Sequence, residues 1–384
     1  MKGVGRVIRG EGRFSEIGAH LKNLGANKVF VVCGKTSFSA SGAAKAVAPF
    51  RRRYSVTEWH NFSENPSFEE LTEGLVALAE SDADTVLGVG GGTALDLAKM
   101  MCAFAESEIN EVRSTIERQT EIKARRMKLI LAPTTSGSGS EATHFSVVYL
   151  DGQKFSVRGP ALRADLIFVD PNLTASTTPR QRAISGLDAL SQAIESLWSV
   201  RSTITSRRIA WRSLRLIWPA LKGFAGSSGR EFARDLSWGS HLAGRAIDIT
   251  QTTAPHALSY HLTSRYGLPH GNAVALLLGA FIDFHQEASH APSSNLSPRE
   301  SRQLARVTQL VRSRLGIPNS ETAADFFKAL LSSLGLASSL HEVGAGNKDQ
   351  LIAMVKSVNS ERMANNPVPA SEEELLRILQ KLAN

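Results

Sequence analysis

Short apolar runs punctuate the first half of the chain at Lys28–Cys33 (KVFVVC), Thr85–Gly90 (TVLGVG) and Lys128–Pro133 (KLILAP), and stretches of helical periodicity separate them. Runs of this kind, bounded by turn residues, read as buried strands. Strands that alternate with helices predict a parallel α/β sheet. Between the first two runs lies Phe68–Glu80, where Phe68, Leu71, Leu75 and Leu78 recur at helical spacing. That helix turns one apolar stripe towards the sheet. The segment Ile167–Thr174 (IFVDPNLT) reads as the last strand and its exit, broken by Pro171.

Beyond this point the period is helical throughout. Ser185–Ser199, Ser202–Phe224, Phe232–Ile249, Ala273–Gln286, Arg299–Leu315, Thr322–Leu334 and Glu372–Leu382 all lack the alternation of a strand. The expected architecture is an α/β Rossmann-like domain over residues 1–173 followed by an all-α domain over 174–384. A length of 384 residues suits two domains. No internal repeat or low-complexity tract interrupts them, and Ala291–Pro298 (APSSNLSP) reads as a loop between helices.

Composition narrows the class. Hydrophobic residues make up 42% and charged residues 21% of the chain, and no apolar run is long enough to span a bilayer, so a soluble protein is expected. The first residues, MKGVGRVIRGEGRF, lack the continuous apolar core of a secretory signal and read as the start of a mature chain. Cys33 and Cys102 are too few for a disulfide framework and stand in no metal-binding spacing, which fits a reducing cytoplasm. The net charge is +8, yet the arginines are scattered and not interleaved with aromatics as on a nucleic-acid stacking platform. Such a charge serves equally to draw in small anionic substrates.

Three motifs carry chemistry. Gly88–Lys99 (GVGGGTALDLAK) places glycines directly after a strand and before a helix. Backbone N–H groups can there approach a phosphate, and the helix N-terminus favours its charge. Thr93 stands where the usual dinucleotide fingerprint has its last glycine. Pro133–Glu141 (PTTSGSGSE) puts small hydroxyls and glycines at the carboxyl end of another strand, where open α/β sheets bind ligands. Ser185–Ser199 (SGLDALSQAIESLWS) begins with Ser185 and Asp188 in capping-box spacing, so Asp188 reads as a cap. Asp188 and Gln192 also lie four apart on one helix face, where two side chains can share an ion.

A fourth stretch, Ala254–Gly271, holds His256, His261 and His270. With Asp188 and Gln192, His256 and His270 would complete a mixed oxygen and nitrogen ligand set suited to iron or zinc.

The motifs in this order, followed by HALSY and PHG in a helical half, resemble the iron-containing, or group III, alcohol dehydrogenase family over nearly the whole chain. The resemblance implies the architecture shared with dehydroquinate synthase: a nicotinamide-binding N-terminal domain and a helical domain holding a divalent metal. It also implies a homodimer. Residue by residue, Gly90, Gly91, Gly92 and Thr93 resemble the pyrophosphate loop, with Asp96 close behind. Thr134, Thr135 and Ser138 match positions lining the cofactor, and Lys154 a lysine near its ribose. Asp188, His256 and His270 match three of four metal ligands.

The chain departs from the family at two of these positions. Gln192 stands where most members have a histidine ligand, and Tyr260, with His261 beside it, where a second histidine often follows the first. Protonation of the product would come from bound water, His261 or Tyr260, in that order. The strand ending at Cys33 is followed by Gly34, Lys35, Thr36 and Ser37 where related chains often carry an aspartate. A carboxylate there repels a 2′-phosphate, so its absence favours NADPH over NADH.

The strings around His256 resemble a subgroup that reduces phosphonoacetaldehyde to 2-hydroxyethylphosphonate. Arg245 and Arg265 flank the histidines and are candidates for the substrate anion. A metal-independent maleylacetate-type reductase, a generic alcohol dehydrogenase and a sugar-phosphate cyclase of the dehydroquinate synthase kind stand as alternatives.

Overall fold

A computed structural model of the protein describes residues 5–223, 230–291, 296–358 and 363–383. The chain forms two compact units, Met1–Thr178 with Ser228–Asp248, and Pro179–Ser227 with Ile249–Asn384. The single boundary expected at residue 173 is therefore replaced by a later one, and a helical segment far along the chain joins the first unit.

Among the described residues the first unit holds eight strands: β1 (Arg6–Arg9), β2 (Lys28–Cys33), β3 (Ser55–Trp59), β4 (Thr85–Gly90), β5 (Lys128–Pro133), β6 (Phe145–Leu150), β7 (Gln153–Arg158) and β8 (Leu166–Val169). Six form a parallel sheet in the order β1-β8-β5-β4-β2-β3. The central strands alternate between two apolar cores. Val29 and Val31 of β2 join Leu87, Val89 and Ile130 on one face, and Phe30 and Val32 join Val86, Leu129 and Leu131 on the other. This is why their sequences run apolar without a break.

The sequence pattern misses β1 and β3, the short edge strands, whose residues include arginines or a glutamate. It also misses the antiparallel hairpin of β6 and β7. The hairpin's turn is Asp151-Gly152, both at positive φ (51° and 75°), as a type I′ turn requires.

The helix Arg230–Thr250 is held to the Ser/Gly loop of the first unit. Ser240 Oγ donates to the Gly137 carbonyl at 3.1 Å, and the Ser136 and Ser237 hydroxyls lie 3.2 Å apart. A Cβ on Gly244 would fall 2.3 Å from the Gly139 carbonyl oxygen, so only glycine permits this approach. These contacts assign the helix, up to Asp248, to the first unit despite its place in the sequence.

In the second unit the long helix His270–His290 packs against Pro179–Trp198, Ala254–Tyr266, Pro298–Leu315, Ala323–Ser333 and Glu372–Lys381. The helix expected to start at Ser185 instead starts at Pro179, after Thr178. Proline is favoured in a first turn, and the hydroxyl-proline pair was the true start signal. Asp188 consequently sits in the helix interior and caps nothing. The pattern also misses Ala254–Tyr266, whose Pro255 lies in the first turn where its missing N–H costs no bond, and Lys348–Lys356. Residues 292–295, half of the expected loop Ala291–Pro298, and the end of the helix expected to reach Phe224 lie outside the described residues. Among the described residues no helix is long and apolar enough to cross a membrane.

Candidate active site

In the first unit the chain runs outward from β2 to β3 and then returns to β4 on the other side of β2. The carboxyl ends of β2 and β4 thus flank the point where strand order reverses, the usual ligand crevice of such sheets. Gly34 follows β2 there and Gly90 ends β4, with the Gly34 nitrogen 3.7 Å from where a Cβ on Gly90 would stand. The helix Gly92–Phe104 starts at this edge with Gly91 as its cap and no side chain closing its first N–H groups. Thr135 and Ser138 line the other wall: a Cβ on Gly91 would lie 3.6 Å from Thr135 Cγ2, and one on Gly92 only 2.9 Å from Ser138 Oγ. Thr134 joins through its N–H, which donates to the Gly90 carbonyl at 2.9 Å. Its buried hydroxyl has no hydrogen-bond partner among the described residues. Lys35 is exposed beside Ser37 at the start of the next short helix.

Three further expected cofactor residues, Thr93, Asp96 and Lys154, have these places within the protein. Thr93 donates its hydroxyl to the Glu64 carbonyl. Asp96 has both oxygens engaged within the protein, by the Ser140 hydroxyl and by the Val147 N–H at 3.0 Å, with Lys99 Nζ also 3.0 Å away. Its carboxylate is the counter-charge of Lys99, a fully buried lysine that donates to the Ser140 carbonyl at 2.9 Å and the Phe145 carbonyl at 2.5 Å. The pair fastens the Ser/Gly loop to the helix behind it. Lys154 lies on β7, opposite Tyr149 in the hairpin.

Glu141, which closes the PTTSGSGSE motif, is buried against His241 at 3.1 Å, and Trp238 stacks on that imidazole at 5.1 Å. Neither residue of this pair was singled out from sequence.

The second unit assembles the histidines. His256 lies in the first turn of its helix and His270 opens the next, each directly after a proline. Gly267, at φ 66°, turns the chain between them. Asp188, His256 and His270 each offer a ligand atom within 4.8 Å of the others. Gly271 makes this possible: a Cβ there would lie 1.9 Å from the Ile184 carbonyl oxygen, so only a bare backbone lets the helix of His270 close on that of Asp188.

The donor chemistry of this trio fits a divalent ion. His256 Nε2 is buried without a hydrogen-bond partner among the described residues, 3.4 Å from Asp188 Oδ1, while the ring's Nδ1 is hydrogen-bonded to Glu195 Oε1. A buried polar atom left unpaired is costly unless something completes it. Burial alone would lower the pKa of His256, but Glu195 and Asp188 beside it prevail and raise it to about 10. Burial would raise that of Asp188, but its contacts with His256, His270 and Gln192 hold it below the usual carboxylate range. Both shifts express acidic and basic groups crowded together out of water, a concentration that a cation relieves.

Gln192 shares the Asp188 face as its spacing implies, but it turns its amide nitrogen to Asp188 Oδ1 at 3.0 Å. The contact is made by the amide nitrogen and not by the oxygen expected to reach an ion, because a carboxylate accepts only from donors. Of the two candidate proton donors, Tyr260 stands at the cluster, its ring stacked on His270 at 5.9 Å and 13°. His261 lies against Tyr266, and burial and Arg265 lower its pKa. Adjacent residues on a helix point about 100° apart, so Tyr260 faces His270 while His261 turns to Tyr266.

Arg265 is exposed in the last turn of the same helix of the second unit. Arg245 is half-buried in the first unit, with no hydrogen bond or ion pair among the described residues.

Sequence reading missed Glu195, which is fully buried and accepts from the Thr253 hydroxyl at 2.8 Å as well as facing His256. The signal was present: from Ala183 to Trp198 the helix is otherwise apolar or small, and Asp188, Gln192 and Glu195 fall four and three apart on one face.

Comparison with known proteins gives this geometry a lineage. Residues 5–171 match the family model for iron-containing alcohol dehydrogenase, and residues 182–383 match that for the C-terminal part of the Fe-containing alcohol dehydrogenase family. Long-chain-alcohol dehydrogenase 1 of Geobacillus thermodenitrificans is 34% identical over 70% of this chain and 69% of its own length. Phosphonoacetaldehyde reductase of Streptomyces viridochromogenes is 30% identical over 77% and 75%. Among solved structures, sulfoacetaldehyde reductase of Bifidobacterium kashiwanohense in complex with NAD+ superposes with a TM-score of 0.88 at 26% identity, covering 100% of this chain and 98% of that one.

Proposed function

The chain belongs to the iron-containing alcohol dehydrogenase family, an NAD(P)-dependent alcohol dehydrogenase or aldehyde reductase, and from that premise we propose that it reduces a short anionic aldehyde to the primary alcohol. Phosphonoacetaldehyde, giving 2-hydroxyethylphosphonate, is the proposed substrate, with NADPH as reductant and one divalent ion, Fe2+ or Zn2+. The observation that carries this reading is the trio Asp188, His256 and His270, gathered within 4.8 Å around an unpaired imidazole nitrogen. Bound there, the ion supplies a Lewis acid for the aldehyde oxygen, and the reduced nicotinamide supplies the hydride.

The protein's own residues do the rest. Gly90, Gly91 and Gly92 receive the pyrophosphate at an open helix N-terminus. Thr134, Thr135 and Ser138 wall the same edge. Lys35, exposed where an acidic residue would select NADH, meets the 2′-phosphate. Tyr260, stacked on His270, returns a proton to the product oxygen directly or through water. Arg245 and Arg265 are the proposed partners of the substrate anion. Two curated or solved relatives whose names specify aldehydes with a phosphonate or sulfonate group support the choice of substrate. The reading has the enzyme working as a homodimer in a reducing cytoplasm, in keeping with two buried free cysteines whose thiols burial pushes up to about 12.

The test pairs metal analysis with substrate comparison. Protein purified without chelator is expected to carry one ion per chain, which His270→Ala loses together with activity. A charge-assisted contact is worth about 1.5–3 kcal/mol, so phosphonoacetaldehyde should exceed propanal by about tenfold or more in kcat/KM. Equal efficiencies would reduce the assignment to a generic alcohol dehydrogenase. Full activity without metal would favour a maleylacetate-type reductase.

A further inference from the structure

The direction of one buried hydrogen-bond chain in the second unit follows from donor chemistry alone. An indole nitrogen only donates, so Trp198 Nε1 gives its hydrogen to Thr253 Oγ1 at 3.0 Å. The Thr253 hydroxyl must then turn its own hydrogen to Glu195 Oε2, 2.8 Å away. The same oxygen also accepts the Thr253 backbone N–H. The other oxygen of Glu195 faces His256 Nδ1. An ionised carboxylate accepts and never donates, so the hydrogen of this last bond belongs to Nδ1. That leaves Nε2, in the neutral ring, with its lone pair turned towards Asp188 and otherwise unengaged.

We propose that Glu195, backed by Thr253 and Trp198, is the positioning residue that fixes the tautomer and orientation of His256 so that Nε2 faces the divalent ion. The proposal rests on the metal reading above. Glu195, Thr253, His256 and Trp198 are all buried, so water cannot substitute for any bond in the chain. A carboxylate fully out of water is retained only when donors satisfy it, and here Thr253 and His256 supply them. Thr253 is also the cap residue of the helix that carries His256. One carboxylate therefore holds both the start of that helix and the ring it presents. Glu195 lies seven residues after Asp188 on one helix, so ligand and orienting group share a rigid support.

The full chain and its Glu195→Gln variant are stripped of metal and titrated with Zn2+ and Co2+ against a competing chelator. Glutamine keeps the size but offers an amide N–H to one of the two donor sets. Its affinity for either ion is expected to fall by about 10–100-fold, and the visible spectrum of the cobalt form is expected to shift. Thr253→Val removes the hydroxyl but keeps the backbone donor, so it is expected to show the same changes at smaller size. Wild-type affinity together with a wild-type cobalt spectrum in Glu195→Gln overturns the proposal. Should that variant not fold, the same result in Thr253→Val overturns it. If the unmodified chain takes up neither ion, the metal reading itself fails, and this inference falls with it.

Discussion

Surroundings push the pKa values of imidazoles in this protein both ways, and His285 is shifted in the opposite direction to His256. Its ring packs edge-on to Trp198 at 4.7 Å, with Phe281 and Phe284 around it, and burial lowers its pKa from 6.5 to about 3. The unfolded chain therefore binds a proton at this site near pH 6.5 that the folded chain refuses until about pH 3. Stability is unaffected above pH 6.5 and falls steadily between those values as acidity rises. His285→Leu should remove that slope, sparing on the order of 2 kcal/mol by pH 4.5. Urea denaturation of both proteins between pH 7 and pH 4 checks it, and parallel curves would count against a buried neutral imidazole.

The proposed cofactor choice can also be tested at single residues. An acid placed at Gly34 would confound charge with fit, since its Cβ would meet Ser37 Oγ at 2.3 Å. Lys35 is exposed and can be changed without that clash. Lys35→Asp is expected to move the ratio of kcat/KM for NADPH over NADH towards NADH by about tenfold or more, the size of one charge-assisted contact. An unchanged ratio would remove Lys35 from cofactor selection.

At the scale of elements, the metal trio depends on two helices approaching as far as backbone atoms allow. Gly271→Ala would place a methyl group 1.9 Å from the Ile184 carbonyl oxygen and 3.2 Å from Asp188 Cβ. The helices must part, taking His270 from Asp188. Overpacking of this kind costs about 1–3 kcal/mol, so the variant should melt earlier and retain less metal. A variant with full occupancy and an unchanged melting temperature would show the approach to be dispensable.

These elements also show what a sequence can carry. The central strands β2, β4 and β5 were legible because burial on both faces leaves unbroken apolar runs, and the long amphipathic helices because their period is 3.6. Edge strands β1 and β3 were not, because short mixed runs resemble loops. The start of the Asp188 helix was misplaced by a plausible cap at Ser185, although Thr178-Pro179 lay upstream. Asp188, His256 and His270 were legible as a possible oxygen and nitrogen donor set, and the family resemblance singled them out as three matched ligands. Glu195 was marked only by its place on the face of Asp188 and Gln192, and His241 was hidden because a buried polar residue declares itself only when its partner, distant in sequence, is in place.

On the scale of the whole molecule, the first unit is discontinuous. Its Ser/Gly loop relies on Ser237, Ser240, His241 and Gly244, all on the helix Arg230–Thr250. Trp238 of that helix packs against the sheet's apolar core. A fragment ending at Thr178 would leave Glu141, otherwise buried, without its imidazole partner. Such a fragment should show sheet content by far-ultraviolet circular dichroism but no cooperative melting and no dinucleotide binding. A cooperative fragment that binds NADPH would refute this dependence.

The same discontinuity has a consequence for biosynthesis. The last strand of the sheet ends at Val169, and the supporting helix segment ends at Asp248, 248 − 169 = 79 residues later. At roughly 5–20 residues per second of translation, about 4–16 s separate the two at the ribosome. Throughout that interval the nascent sheet carries an unsupported ligand loop and an exposed patch of core. Chaperone demand should therefore be greatest between synthesis of the last strand and synthesis of this one helix, and a pause in translation within that window would lengthen the exposure.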